Sequence, residues 1–314
     1  MGTGSKTGNL PEFALLVLLG ILWGIPYALT RISLTTIPPL TLVAARVSIA
    51  AAMLWIIVVI LGYKIPERKE FIARLFVQGC IACVLPYTLV AIGQQSVESA
   101  LAAILNSTTP LFVCLISVTL TRHEPMTLGR LFGVTVGLGG VIVIAGASAL
   151  VGLGRATAGQ SAIMLATISS AISVIHGRRF ATVAPEVAAA GTLTCAAIVL
   201  VPLCFVVEAP LHCVPSAASV TALLINAVVA TAFGFVVYFR LIRTIGSMGT
   251  ASVGYLKPAV GVLIGCALMG ESLTWTAATG LAAILFGVAA IHQMDSFRPS
   301  WLTFKIGARA TQPI

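Results

Sequence analysis

The sequence predicts an all-α integral membrane protein of ten transmembrane helices, arranged as two inverted repeats of five helices. Composition is the first observation. Of 314 residues, 59% are hydrophobic and 9% are charged, and the mean hydropathy is +1.07. A soluble domain carries roughly 25% charged residues, so the solvent of this chain must be lipid. The second observation is the number of long apolar segments, and the third is a repeat within the sequence.

Ten apolar segments are long enough to cross a bilayer, whose hydrocarbon core of about 30 Å requires roughly 20 residues per helix. The predicted spans are 12–33, 39–61, 73–93, 98–120, 128–148, 159–177, 186–207, 217–240, 248–269 and 274–294. They divide the chain into an N-terminal tail (1–10), a first five-helix repeat (11–150), a second, inverted five-helix repeat (151–296) and a C-terminal tail (297–314).

The distribution of Lys and Arg predicts the orientation, because cytoplasmic loops carry an excess of both. If the N-terminus is cytoplasmic, fourteen of the 18 Lys and Arg residues fall on the cytoplasmic side. Of the other four, Arg155 is external, Arg31 lies near the outer boundary, and Arg46 and Lys257 fall within spans. Both termini are therefore predicted to be cytoplasmic. The net charge of +9 follows from this topology and does not indicate a nucleic-acid partner.

The two halves of the chain share a sequence pattern. The motif E-x2-T-x5-G-x6-G begins at Glu124 and again 147 residues later at Glu271. Upstream, Pro110 in the fourth span matches Pro258 in the ninth. An odd number of spans per half inverts the second half in the membrane, which is typical of secondary transporters with a midplane site. Each proline removes a backbone donor, so both are predicted to kink their helices and act as hinges.

Three stretches carry a resemblance to a known family: Trp23-Gly24, the run from Ala251 to Val262, and Gly270-Glu271-Ser-Leu-Thr274. They resemble the drug/metabolite transporter superfamily, specifically its EamA-type ten-helix exporters, and among these the chain is most similar to the YddG-type amino-acid exporters. The resemblance implies a multi-pass protein of the bacterial inner membrane that exports small metabolites. It also implies a central cavity lined by the first, third, fourth, sixth, eighth and ninth spans.

The same six spans carry polar and aromatic residues at helical spacing. The predicted substrate-binding residues are Lys257, Tyr255, Asn106, Gln94, Trp23, Tyr27, Tyr87 and Tyr238. Lys257 is the strongest candidate among them, because placing a lysine in mid-membrane costs roughly 2.5–3.5 kcal/mol on insertion scales. We expect its ammonium to face a water-filled cavity and neutralise a substrate carboxylate. The alternative is a structural role, in which it pairs with Glu98 or with carbonyls freed by Pro258.

Arg46 lies in the mainly aliphatic second span. Two structural roles fit Arg46 at least as well as a substrate contact. Its side chain either pairs with another residue or reaches the outer surface. No Asp or Glu lies in mid-span, whereas small multidrug exporters of lipophilic cations usually require a buried carboxylate. A cavity with a lysine and several aromatic rings suits a zwitterion or anion with an apolar side chain.

The expected function is export of amino acids, including large apolar and aromatic ones, by a monomer that works by alternating access. The alternative is export of drugs or of another non-amino-acid metabolite. The chain has no G-x4-G-K-[ST] motif, so ATP does not drive it directly. Facilitated diffusion is expected, with proton coupling through Glu98, Lys257 or His176 left open. Neither catalytic residues nor a metal or cofactor site is predicted. The expected partners are the substrate and the lipid bilayer.

Overall fold

The computed structural model describes residues 9–97, 99–117, 128–150, 156–208, 210–260 and 275–293, and all regular structure within them is helical. The α-helices are α1 Asn9–Gly24, α2 Pro26–Ser33, α3 Pro39–Ile60, α4 Lys69–Gly79, α5 Leu85–Gly93, α6 Ser99–Asn106, α7 Thr109–Ile116, α8 Leu128–Leu150, α9 Thr157–Gly177, α10 Pro185–Val207, α11 Ala217–Ile225, α12 Gly234–Ala251, α13 over 253–260 and α14 Trp275–Gln293.

These helices coincide with the predicted spans. Six helical stretches are long and apolar enough to cross a membrane: Pro11–Ser33, Pro39–Ile60, Lys69–Gly93, Thr157–Phe180, Pro185–Val207 and Ala217–Ala251. Three shorter apolar helices lie in the fourth, fifth and tenth predicted spans: Ile104–Ile116, Leu131–Val143 and Ala278–Ile291. The ninth span is described only as far as residue 260, and both copies of the E-x2-T motif begin outside the described residues. The all-α membrane fold predicted from the sequence is confirmed.

Within the described residues, five spans are interrupted by a turn or by a π-helix. The interruptions are a turn at Ile25, a π-helix at Cys80–Val84, a turn at residues 107–108, a π-helix at Asn226–Phe233 and a turn at Ser252. Short π-helical segments frequently occur at functional sites. All five interrupted spans belong to the set that was predicted to surround a cavity.

The two predicted hinge prolines occupy different positions. Pro110 lies in the first turn of α7, directly after the break at residues 107–108, where a missing N–H costs little. The backbone of α13 remains helical through Pro258, and the break in that span lies at Ser252. That Pro258 kinks its helix and acts as a hinge stays a prediction. The two interrupted spans meet, because a Cβ on Gly254 would lie 3.3 Å from Pro110 Cδ.

The eighth span extends beyond its predicted end at residue 240. α12 continues to Gly246, whose φ of 75° and ψ of −177° reverse the chain before residues 247–251. Glycine adopts a positive φ of this kind at little energetic cost. The hydropathy of the sequence ends the span too early, because Arg240 and Arg243 are exposed residues on a helix that continues past the apolar region.

Two helix pairs flank the centre of the bundle. α8 packs against α14, and α3 packs against α10. Between α8 and α14 the contact is made by glycines: a Cβ on Gly140 would lie 2.6 Å from Gly280 O, and one on Gly287 would lie 2.6 Å from Gly137 N. Glycines at such positions let the two helix backbones approach closely. Between α3 and α10, Trp55 Nε1 donates a hydrogen bond of 2.7 Å to Thr194 Oγ1.

Glu208, just after α10, caps the N-terminus of α3. Its carboxylate accepts hydrogen bonds from Leu40 N at 2.9 Å and Thr41 N at 2.7 Å, and from the Thr41 hydroxyl at 2.9 Å. The residue before α3 is Pro38, which provides no side-chain cap. Glu208 therefore satisfies two of the free N–H groups at this helix end and places a negative charge at the positive end of the helix dipole.

We expect Glu208→Gln to destabilise the protein by about 1–2 kcal/mol, since the amide keeps the size of the side chain but loses its charge and one acceptor. The melting temperature of the purified protein in detergent measures the effect. Glu67→Gln, at an exposed position, is the matched control. If the two variants melt at the same temperature, Glu208 does not stabilise the end of α3.

Candidate functional site

A central cavity lies between the interrupted helices. The side chains that line it come from the first four spans of the first half and from the sixth, eighth and ninth spans. The lining residues are Trp23, Pro26, Tyr27, Thr30, Leu42, Val43, Arg46, Ala82, Pro86, Tyr87, Val90, Ala91, Gln94, Asn106, Thr109, Ser170, Ser173, Val174, Phe235, Tyr238, Thr250, Ala251, Val253, Gly254 and Lys257. All six predicted cavity spans contribute, and so does the second span, which the sequence did not predict.

Lys257 lies in this cavity together with three other residues predicted for the site. Its ammonium donates a hydrogen bond of 2.7 Å to Asn106 Oδ1. The same nitrogen is 5.5 Å from the ring centroid of Trp23 and 6.0 Å from that of Tyr27, which is within the range of cation–π attraction. Among the described residues, no carboxylate lies within ion-pair distance of Lys257. The alternative partner Glu98 lies outside the described residues.

Trp23 is held against the opposite half of the bundle. Its indole N–H donates a hydrogen bond of 3.1 Å to the carbonyl of Ala230, in the π-helix of the eighth span. Its ring contacts Tyr238, with centroids 5.3 Å apart, and Phe235, with centroids 6.0 Å apart. A wall of tightly packed aromatic rings therefore lies beside the Lys257 ammonium.

Gln94, Tyr87 and Tyr238 also line the cavity. Gln94 Nε2 donates a hydrogen bond of 3.2 Å to the carbonyl of Tyr27, and so joins the third span to the first. The Tyr238 hydroxyl is 3.4 Å from Ser173 Oγ. Seven of the eight predicted substrate-binding residues therefore lie around one cavity.

Tyr255 is the exception, and its prediction as a cavity residue is wrong. It is fully buried, its hydroxyl donates a hydrogen bond of 3.0 Å to the carbonyl of Val134, and its ring packs on Gly137 of α8. It precedes Lys257 by two residues, and two residues of α-helix correspond to about 200° of rotation. The two side chains therefore point to opposite sides of α13, and only Lys257 faces the cavity.

Arg46 is a cavity residue that the sequence did not assign to the site. Its Nε donates a hydrogen bond of 2.6 Å to Thr231 Oγ1 in the π-helix of the eighth span. Its guanidinium carbon lies 4.1 Å from the centroid of the Tyr87 ring, and only 7% of the residue is exposed. The signal that could have found it is the one used for Lys257, namely the cost of a charge inside an apolar span.

A buried polar and aromatic cluster lies next to the cavity residues Ser173 and Tyr238. Gln78 Oε1 is 2.8 Å from His176 Nδ1, and Gln78 Nε2 donates a hydrogen bond of 3.2 Å to the carbonyl of Ser173. Phe180 and Phe239 are buried next to them and are in edge contact, with ring centroids 5.8 Å apart. The Lys and Arg distribution assigns this cluster to the cytoplasmic side. His176 is half-buried in this cluster.

Gly234→Ala tests the position of Trp23. A Cβ at residue 234 would lie 2.5 Å from Trp23 Nε1, so the indole must move and its hydrogen bond to Ala230 must lengthen or break. Loss of one hydrogen bond and of close packing corresponds to roughly 1–3 kcal/mol. We expect a shifted tryptophan fluorescence maximum and a KM for transport raised by about tenfold.

Gly139→Ala is the control, because a Cβ there meets nothing within 4 Å. An unchanged fluorescence maximum and KM in Gly234→Ala, equal to those of the control, would contradict the assignment of Trp23 to the cavity wall.

Comparison with known proteins matches both halves of the chain to one family. The model of the EamA-like transporter family matches residues 10–146 and again residues 157–292. The chain belongs to the EamA-like transporter family. This confirms the resemblance to EamA-type transporters and the fold of two repeats, and with them the prediction of a transporter, whereas the similarity to YddG-type exporters stays a prediction.

Individual transporters are similar to this chain over nearly their whole length. The inner membrane transporter YedA of Escherichia coli K12, described as uncharacterized, is 27% identical over 285 residues, which is 90% of each chain. The uncharacterized transporter YoaV of Bacillus subtilis 168 is 26% identical over 282 residues, 87% of this chain and 95% of YoaV. A solved crystal structure with 20% sequence identity superimposes with a TM-score of 0.75 and covers 90% of this chain and 97% of the other. It supports the fold alone.

Proposed function

We propose that this EamA-like transporter exports amino acids from the bacterial cytoplasm, including large apolar and aromatic ones. The observation that carries the proposal is the position of Lys257 in the cavity, with its ammonium hydrogen-bonded to Asn106 and no described carboxylate beside it. A substrate carboxylate provides the missing negative charge, and charge-assisted hydrogen bonds of this kind are the strong ones. Trp23 and Tyr27, 5.5 and 6.0 Å away, provide apolar surface for the rest of the substrate.

We further propose that transport proceeds by alternating access. The two family matches support a division into five-helix repeats at 11–150 and 151–296. The interrupted fourth and ninth spans meet at Pro110 and Gly254, so movement of one repeat against the other changes the shape of the cavity. The cluster around Gln78 and His176 is then the inner gate, the termini are cytoplasmic, and the protein works as a monomer.

Counterflow in proteoliposomes tests the function. Vesicles that contain the purified protein and unlabelled leucine or phenylalanine are given the labelled amino acid outside. A carrier shows saturable uptake that is stimulated by unlabelled substrate on the opposite side, whereas a channel does not. Absence of uptake for every amino acid in a panel, with a well-folded protein, would reject the proposal. Export of drugs or of another non-amino-acid metabolite then takes its place, and competition with a metabolite panel identifies it.

A further inference from the structure

The cavity contains two cationic side chains, one from each half of the chain. Lys257 is on α13, and Arg46 is on α3. None of the described residues that line the cavity is acidic. The ion pair present among the described residues, Arg74 with Glu70 at 3.8 Å, is exposed and lies outside this cavity. The cavity therefore presents an excess of positive charge to its contents.

Arg46 is fixed in orientation while most of its donors stay available. Arginine has five N–H donors in a planar fork. The Nε–H donates to Thr231 Oγ1, and the Thr231 hydroxyl itself donates to the carbonyl of Asn226 at 2.8 Å. One face of the guanidinium lies on the Tyr87 ring. Within the described part of the chain, the terminal Nη groups have no hydrogen-bond partner.

A purely structural arginine at this depth is expected to place its donors on carbonyl or carboxylate oxygens, because uncompensated charge in an apolar surrounding is costly. Among the described residues, the partners of Arg46 are one hydroxyl and one ring, and Arg46 lines the cavity. Its Nη edge is therefore left for a partner inside the cavity. The planar fork matches a carboxylate in a bidentate manner.

From these contacts we infer that, among the amino acids it transports, the protein prefers those with a second carboxylate. The α-carboxylate binds at Lys257, and the second carboxylate binds at the Nη edge of Arg46. The inference rests on the proposed amino-acid export and adds a preference for charge within that class. A neutral amino acid leaves Arg46 without an anion, whereas an acidic one neutralises both cations.

Glutamate and glutamine are the matched probes, because they have nearly the same shape and differ by one charge. Uptake of each is measured in proteoliposomes that contain the wild-type protein. We expect kcat/KM for glutamate to exceed that for glutamine by at least about tenfold, as expected for one charge-assisted bidentate contact. We expect glutarate, which lacks the ammonium group, to compete with glutamate.

Variants at Arg46 assign the preference to that residue. Arg46→Gln should bring the glutamate-to-glutamine ratio close to one. Arg46→Lys keeps the charge without the fork and should give an intermediate ratio. Arg31→Gln, at an exposed arginine of α2, is the control and should keep the wild-type ratio. If Arg46→Gln does not fold, Thr231→Val removes the acceptor of Nε with little change in shape and should lower the same ratio.

The outcomes separate this inference from the function on which it rests. Transport of neutral amino acids with equal or lower rates for glutamate overturns the charge preference and leaves amino-acid export standing. A wild-type preference for glutamate that survives in both Arg46→Gln and Thr231→Val overturns the role of Arg46. Failure to transport any amino acid, neutral or acidic, overturns the inference and the proposed function together.

Discussion

Replacement of Lys257 by alanine should lower kcat/KM for amino-acid transport by about ten- to hundredfold. A hydrogen bond to a charged group contributes about 1.5–3 kcal/mol, and each 1.4 kcal/mol corresponds to a factor of ten. The lost contact is the one between the ammonium and the substrate carboxylate, for which Asn106 alone cannot substitute. Uptake into proteoliposomes across a range of substrate concentrations measures the change.

The stability of the same variant separates a binding role from a structural one. A buried lysine costs roughly 2.5–3.5 kcal/mol at the centre of a membrane helix, so its removal should leave the melting temperature equal or higher. Lys69→Ala, at an exposed position at the start of α4, should change neither transport nor stability. If Lys257→Ala unfolds at a lower temperature than the wild type but transports normally while folded, Lys257 has a structural pairing instead of a binding role. Glu98→Gln then identifies whether Glu98 is the partner.

The second large effect concerns the pair of helices α8 and α14. We expect Gly140→Ala and Gly287→Ala each to destabilise the protein by about 1–3 kcal/mol, as overpacking of a close contact does. The added methyl group would lie 2.6 Å from Gly280 O in the first variant and 2.6 Å from Gly137 N in the second. In both cases the obstacle is backbone, which cannot move without separating the helices.

Gly139→Ala is the matched control for these variants, because it is next to Gly140 on the same helix but meets nothing within 4 Å. Alanine also forms helix better than glycine by up to about 1 kcal/mol, so the control should be neutral or slightly stabilising. Thermal unfolding in detergent gives the melting temperatures of Gly140→Ala, Gly287→Ala and Gly139→Ala for comparison. Equal melting temperatures for Gly140→Ala and Gly139→Ala would show that α8 and α14 are not held together by this contact.

The number and place of the spans follow from hydropathy, because a helix in lipid needs a long uninterrupted apolar surface. The ends of the helices follow less well. α12 continues past the predicted end at residue 240, since the chain needs no polar loop there: Gly246 alone makes the reversal. Hydropathy indicates which residues lie in the apolar layer of the membrane. It does not indicate where a helix that extends beyond this layer ends, because that depends on a residue such as glycine that allows the turn.

The site residues were predicted by one criterion, namely polar or aromatic side chains inside apolar spans. That criterion found Lys257, Asn106 and Trp23, which the fold brings together. It failed for Tyr255, because residue type does not determine which side of α13 faces the cavity. It also failed to assign Arg46 to the cavity, because its partner Thr231 is 185 residues away in the sequence and the second span is mainly aliphatic.

Transport of leucine compared with leucinamide tests the central claim most directly, namely that Lys257 holds the substrate carboxylate inside the cavity between the two halves. The two molecules have the same shape and differ in the group that would face the ammonium. The account predicts counterflow of leucine and at least about tenfold less of leucinamide in the wild type, with the difference lost in Lys257→Gln. Equal counterflow of both molecules in the wild type would contradict it.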